Sequence, residues 1–193
     1  MDRPGFGGEF IAVRRLQLAR WLQSSPGRFN LVGVSRIIKV MDFLQLKALQ
    51  QIEDYVTPFQ VVEGFDDRWW HEGAGRVGDD TLGGKDYIQF LADGMEVGRA
   101  EITDWQLSDG YIGVDLEVRA KEIWFFEIRR DLRRQHYGAE FARHLIRHYA
   151  AFPLIAFSEG ADEFWAGIGW HYYPRKDGNT HYRKLFVSQT IDK

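Results

Sequence analysis

The run Ile123-Trp124-Phe125-Phe126-Glu127-Ile128 constrains the fold more than any other part of the chain. Five of its six side chains are apolar. Neither face can therefore turn to water, and a strand covered on both faces of a parallel or mixed sheet fits the pattern. A polar loop from Arg129 to Gly138 carries four arginines. Beyond it Phe141, Ala142, Leu145, Ile146 and Tyr149 make one apolar helical stripe. A second strand, Leu154 to Ser158, leads through Glu159-Gly160 into a short helix over 161–168 that Gly169 ends. Trp170 to Gln189 reads as a hairpin turned at Lys176-Asp177-Gly178-Asn179. The helical crossover makes the two strands parallel neighbours, with the right-handed connection such units adopt.

Upstream the texture differs. Phe10 to Leu22 and Leu31 to Tyr55 show apolar residues at helical spacing around a break at Ser24-Ser25-Pro26-Gly27. This divides the chain into an N-terminal helical segment, 1–55, and an α/β domain, 56–193. After Thr57-Pro58 come the strand-like runs Gln60 to Val62, Tyr87 to Leu91, Val97 to Trp105 and Tyr111 to Val118, with a hairpin turn at Ala92-Asp93-Gly94. Residues 66–86, crowded with Gly, Asp and Trp, read as a mobile loop.

Composition removes several chemistries. The 193 residues include no cysteine, which excludes disulfides, thiolate metal sites and a cysteine-bound acyl intermediate. With 45% apolar and 27% charged residues the chain can build a core. No uncharged stretch approaches the roughly 18 residues of a membrane span. The opening residues also lack the basic-then-apolar pattern of a secretory signal, so cytoplasmic residence and no membrane partner are expected. Net charge is −3, but residues 51–118 hold sixteen Asp/Glu against four Lys/Arg, while 119–193 hold thirteen Lys/Arg against nine Asp/Glu. Such asymmetry suits one site for a cation and one for an anion, or else two solvated faces.

The segment from Glu122 to Leu145 resembles the acyl-CoA-binding motif of the GNAT acetyltransferases, whose loop reads Arg or Gln, two residues, Gly, one residue, then Gly or Ala. Arg133 fills the first position and Gly138 the last, while His136 stands where the first glycine is usual. The downstream Phe164-Trp165-Ala166-Gly167-Ile168-Gly169-Trp170 is similar to the family's aromatic-x-x-x-Gly-Phe ending, and the likeness covers roughly 85–190. It implies the GNAT fold, a mixed central β-sheet flanked by helices, and acetyl-CoA as co-substrate. The implied cofactor residues are Phe126, Ile128, Arg129, Arg133, Arg134, Gln135, His136, Tyr137, Gly138 and Ala139. Independently, a helix N-terminus with free amides and nearby arginines suits a diphosphate.

Attack by an amine on a thioester requires a proton acceptor. By resemblance to the histone-acetyltransferase branch Glu122 takes that role, and strand parity puts Glu127 on the opposite face. The family often protonates the leaving thiolate with a tyrosine in the last helix. Trp165 stands at that place, which leaves Tyr172, Tyr173 or solvent as the acid. His144 and His148 lie one helical turn apart without a third ligand, so no metal is expected. The readings carried forward are N-acyl transfer to a primary, cationic amine without a cysteine-linked intermediate, and a catalytically silent GNAT-like domain binding CoA or a partner. A nucleic-acid-binding N-terminal arm is disfavoured for want of a motif. Homodimerisation stays open.

Overall fold

The computed structural model describes residues 43–53, 56–73, 84–189 and 191. The expected helix over Phe10 to Leu22 and most of the second lie outside these residues. The described part carries a seven-stranded mixed sheet in the order β1-β2-β3-β4-β5-β7-β6. Its strands are β1 (Leu44–Leu49), β2 (Lys85–Ala92), β3 (Met95–Leu107), β4 (Val118–Ile128), β5 (Leu154–Ser158), β6 (His171–Tyr173) and β7 (Lys184–Val187). Two helices join them, α1 (Tyr137–His148) between β4 and β5 and α2 (Asp162–Gly167) between β5 and β6. β4 and β5 are parallel, and the other pairs are antiparallel.

The strand, basic loop, helix, strand order stands as expected. The α1 stripe buries Phe141, Ala142 and Leu145 against the sheet. There Phe141 stacks on Phe90 at 4.8 Å and on Phe126 at 4.9 Å. Burying each such side chain contributes about 2–3 kcal/mol. Gly98 on β3 permits this approach, since a Cβ there would sit 2.9 Å from Ile128 and 3.0 Å from Phe141. The β2–β3 turn is tight because Asp93 and Gly94 both adopt left-handed backbone, φ 49° and 84°, as a two-residue hairpin of this twist requires.

Several sequence expectations differ from the structure. Leu44–Leu49, read within a helix, is a strand. Leu44 and Leu46 satisfy a period of two as well as of 3.6, and pairing with Ala92 and Phe90 on β2 decides between them. Gln60 to Val62 is irregular chain whose Gln60 carbonyl accepts from Arg99 Nη2 at 2.7 Å. Of Tyr111 to Val118, Tyr111 makes an isolated bridge to Arg175, Gly113 at φ 88° turns the backbone out of extension, and only Val118 belongs to a strand, as the first residue of β4. Within 66–86, Trp70 is fully buried on a single wide helical turn, Trp69–Gly73, which contradicts the mobile loop over that stretch. Residues 74–83 lie outside the described residues.

Candidate active site

The site begins where the sheet stops being a sheet. β4 and β5 pair at only two positions, Lys121 with Leu154 and Glu122 with Ile155. Beyond Glu122 the strands diverge and open a slot. At its mouth lies a cavity of about 600 Å³, lined by Phe126, Glu127 and Ile128 of β4, by the loop and first turn of α1, by α2, and by Trp69.

The loop supplies a built concavity. Arg134 and His136 both hold left-handed backbone, φ 61° and 67°, so the chain tucks under the start of α1. A side chain in this region costs about 1–2 kcal/mol. His136 thus adopts by strain the conformation that glycine takes freely. No side chain caps α1 at His136, so its first amides remain available to an anion. Gly138 lets Phe164 of α2 approach, a Cβ there lying 3.0 Å from its ring.

Of the expected cofactor residues, Phe126, Ile128, Arg133, Arg134, His136, Gly138 and Ala139 border the cavity. Arg129, Gln135 and Tyr137 do not. Arg129 is bound to Asp131 (2.8 Å), Gln135 Nε2 donates to the Asp131 carbonyl (3.0 Å), and Tyr137 packs against the main core. Arg133, though half exposed, is turned onto the end of β4, with Nε donating to the Ile128 carbonyl and Nη2 to Glu127 Oε1 at 2.9 Å. Arg134 has no ion-pair partner among the described residues, and its exposed guanidinium borders the cavity.

The two strand carboxylates lie on one face, contrary to the parity expectation. The register slips between β3 and β4, so that Ile102 faces Ile123 while Glu101 faces Phe125 and Trp124 is left as an extra residue. This bulge re-aims everything after it. Glu122 pairs with Thr103 and Glu127 with Arg99, and these two β3 residues share a face.

Their environments differ. Glu127, 4% exposed, accepts from the Trp70 indole (2.7 Å), the Asp66 amide (3.1 and 3.2 Å) and Arg133. It is fully satisfied. Glu122, 1% exposed, has an Oε2 without a partner among the described residues. Burial pushes its carboxyl up to about 7, opposed by the Arg183 charge. The same face carries Thr103 Oγ1 and the Tyr87 hydroxyl, also without partners among the described residues. Beside them Lys85 Nζ lies 2.9 Å from Glu101 Oε1, an ionic contact off the hydrogen-bond axis.

Neither candidate tyrosine borders the cavity. Tyr173 is buried and its hydroxyl accepts from the Ile191 amide at 3.0 Å. Tyr172 is half exposed against Phe186, and both tyrosines border a separate small depression. Trp165 is buried against Phe126 and Trp170. Trp69, which with Trp70 reads in the sequence as core or as an aromatic lid, enters the cavity wall from far upstream. Arg183, which sequence reasoning misses, arrives from the C-terminal connection near Glu122. Neither has a spacing relation to the loop. Much of the acidic middle is consumed internally: Lys121 holds Asp86 and Asp104, and Arg99 holds Glu96. Asp66 caps the Trp69 amide and Asp67 contacts His71, while Asp79 and Asp80 lie outside the described residues.

No protein-family model matches the sequence, and no curated protein matches it. Solved structures do. The KacTA–DNA complex contains a chain that aligns over 76% of this chain and 93% of its own, at 13% identity and a TM-score of 0.50. A point mutant of the AtaT toxin, bound to the C-terminus of the antitoxin AtaR, aligns over 77% and 94%, at 13% identity and a TM-score of 0.50. The Bacillus subtilis N-acetyltransferase YlbP in complex with coenzyme A aligns over 52% and 65%, at 14% identity and a TM-score of 0.38.

Proposed function

The chain has the fold of the GNAT acyltransferase superfamily, and from that premise we propose that it moves an acyl group from acyl-CoA to a primary amine by direct transfer in a ternary complex. The observation that carries this reading is Glu122: a buried carboxylate with an unpartnered oxygen among the described residues, at the last paired position before the slot opens. Buried polar atoms left unpaired cost about 1–3 kcal/mol each, and a ligand that pairs them recovers that cost.

The chain's own parts divide the work. The first amides of α1 and Arg134 hold the diphosphate, and the unpaired edge of β4 from Ile123 to Ile128 offers backbone groups to the amide-bearing arm. Acyl-CoA supplies an activated acyl group with a thiolate leaving group. Once the ammonium has lost one proton to solvent, Glu122 accepts a second from the amine nitrogen as the new C–N bond forms and the C–S bond breaks, then returns it to solvent. A carboxyl held near 7 suits this task at neutral pH. Thr103 and the Tyr87 hydroxyl, on the same face, offer further oxygen acceptors to an incoming ammonium. The thiolate is protonated by solvent, since neither Tyr172 nor Tyr173 reaches the cavity.

Thiol release from acetyl-CoA over a panel of amines tests the reading. Polyamines or lysine side chains are expected to outperform acidic amines, with acceptor KM rising as salt screens the acidic middle of the chain. Equal use of acidic acceptors would remove the cationic assignment. Acetyl-CoA binding without thiol release on any amine would favour the second reading, a silent CoA-binding domain, which the buried Trp165 in place of an acid supports.

A further inference from the structure

One cation from the far end of the chain is fixed across the split between β4 and β5. The two strands last pair at Glu122 and Ile155, and two residues further on stand Trp124 on β4 and Phe157 on β5. The Arg183 guanidinium lies over both rings, 5.7 Å from the Trp124 centroid and 5.9 Å from that of Phe157. Such stacking holds a planar cation in place while leaving its charge free to act beyond the rings. Arg183 Nη1 donates to Glu159 Oε1 at 2.9 Å, just past the end of β5. The next residue, Lys184, pairs with Ser158 of β5 and is bound to Asp162 at the start of α2, so the backbone that carries Arg183 is tied as well.

The Arg183 charge opposes the burial that raises the Glu122 carboxyl. The neighbouring charges are engaged elsewhere. On β2 and β3 Lys85 lies against Glu101, and Arg99 holds Glu96, while the Tyr87 hydroxyl is kept neutral by burial. On β4 Glu127 holds Arg133, and Lys121 holds Asp86 and Asp104. β5 brings only Ile155 and Phe157 to this side. Resting on the acyl-CoA reading above, we infer that Arg183 is a positioning residue for that reaction: fixed across the split, its charge favours the ionised form of Glu122 and keeps the proton acceptor ready, without itself touching substrate. An arginine suits this task because it stays charged throughout the range in which the carboxyl titrates.

Carbon-13 detection of the Glu122 carboxyl in the full chain, assigned by its loss in Glu122→Gln, follows the titration without substrate. The wild-type carboxyl is expected to titrate near 7, Arg183→Gln to shift it upward, and Arg183→Lys, which keeps the charge, to restore most of the difference. Arg183→Met is the second neutral variant should the glutamine one not fold. With acetyl-CoA and an accepted amine, the pH limb of kcat/KM should move upward with the carboxyl, so that the neutral variant is several-fold slower at pH 7 and recovers at higher pH. A purely structural role would lower turnover at every pH and leave the limb in place. An unmoved carboxyl titration in a folded neutral variant, or a limb that does not follow it, overturns the inference and leaves the acyl-CoA reading standing. No thiol release by the wild type on any amine overturns acyl transfer and the positioning role together.

Discussion

The two faces of β2, β3 and β4 solve burial in opposite ways. Towards α1 lie Ile88, Phe90, Ala100, Ile102 and Ile123, a layer that needs only volume and shape. On the other face Arg99, Glu101, Thr103, Glu122 and Glu127 are all buried, where each charge pays for desolvation and must find partners. Arg99 does so through Glu96, the Gln60 carbonyl and the rings of Phe59 and Phe65, and Glu127 through Trp70, Asp66 and Arg133. Among the described residues Glu122 finds none for its Oε2. Glu127 is satisfied on both oxygens, whereas Glu122, which does not border the cavity, keeps an unpartnered oxygen at the last position paired with β5.

Breaking the polar face at its exception should give the largest effect. Glu122→Gln is expected to lower turnover on the order of 10² to 10⁴-fold while leaving acetyl-CoA affinity nearly unchanged, because it removes proton acceptance and keeps the shape. Wild-type kcat/KM should rise with pH through about 7, as the carboxyl ionises, and the glutamine variant should lack that limb. Full turnover in the variant would make Glu122 architectural too.

Breaking the apolar face should cost stability instead. Phe141→Ala removes a fully buried ring stacked on two others and is expected to destabilise by about 3–5 kcal/mol in denaturant unfolding. Where the variant remains folded, the pH limb of turnover should persist. Its disappearance would show that the two faces are not separable.

A smaller effect sharpens the contrast. The folded Glu122 carboxyl is raised from 4.5 to about 7, so its unfolded form releases the proton first. Its contribution to stability is complete below 4.5 and declines as pH rises to about 7, by on the order of 3 kcal/mol. Glu122→Gln should lack this decline and be the more stable protein above pH 7. Parallel stability profiles would contradict the burial account.

What the sequence made legible follows from periodicity. The continuous apolar run Ile123 to Ile128, the helical stripe Phe141 to Tyr149 and the short apolar strand Leu154 to Ser158 each fold as their patterns suggest. Leu44–Leu49 satisfies two periods, and only its partner β2 decides. The bulge at Trp124 has no local signature in an apolar run, yet it brings Glu122 and Glu127 to one face. The turn of Arg133 onto Glu127, and the arrival of Trp69 and Arg183, depend on packing between distant segments. Loop position and charge were readable from the chain; the division of labour among the arginines was not.

That division supplies the most direct test of the central claim, that the loop 133–139 and the slot beside β4 hold acyl-CoA. Reversing Arg133 would also break its bond to Glu127, so Arg134, which has no ion-pair partner among the described residues, is the clean probe. Acetyl-CoA titrated into wild type and Arg134→Glu should show saturable binding in the first, and binding at least about tenfold weaker in the second with an unchanged unfolding temperature, as expected when a charge-assisted contact worth about 1.5–3 kcal/mol is replaced by repulsion. Equal affinity in the two proteins, or no binding to the wild type, would contradict the account.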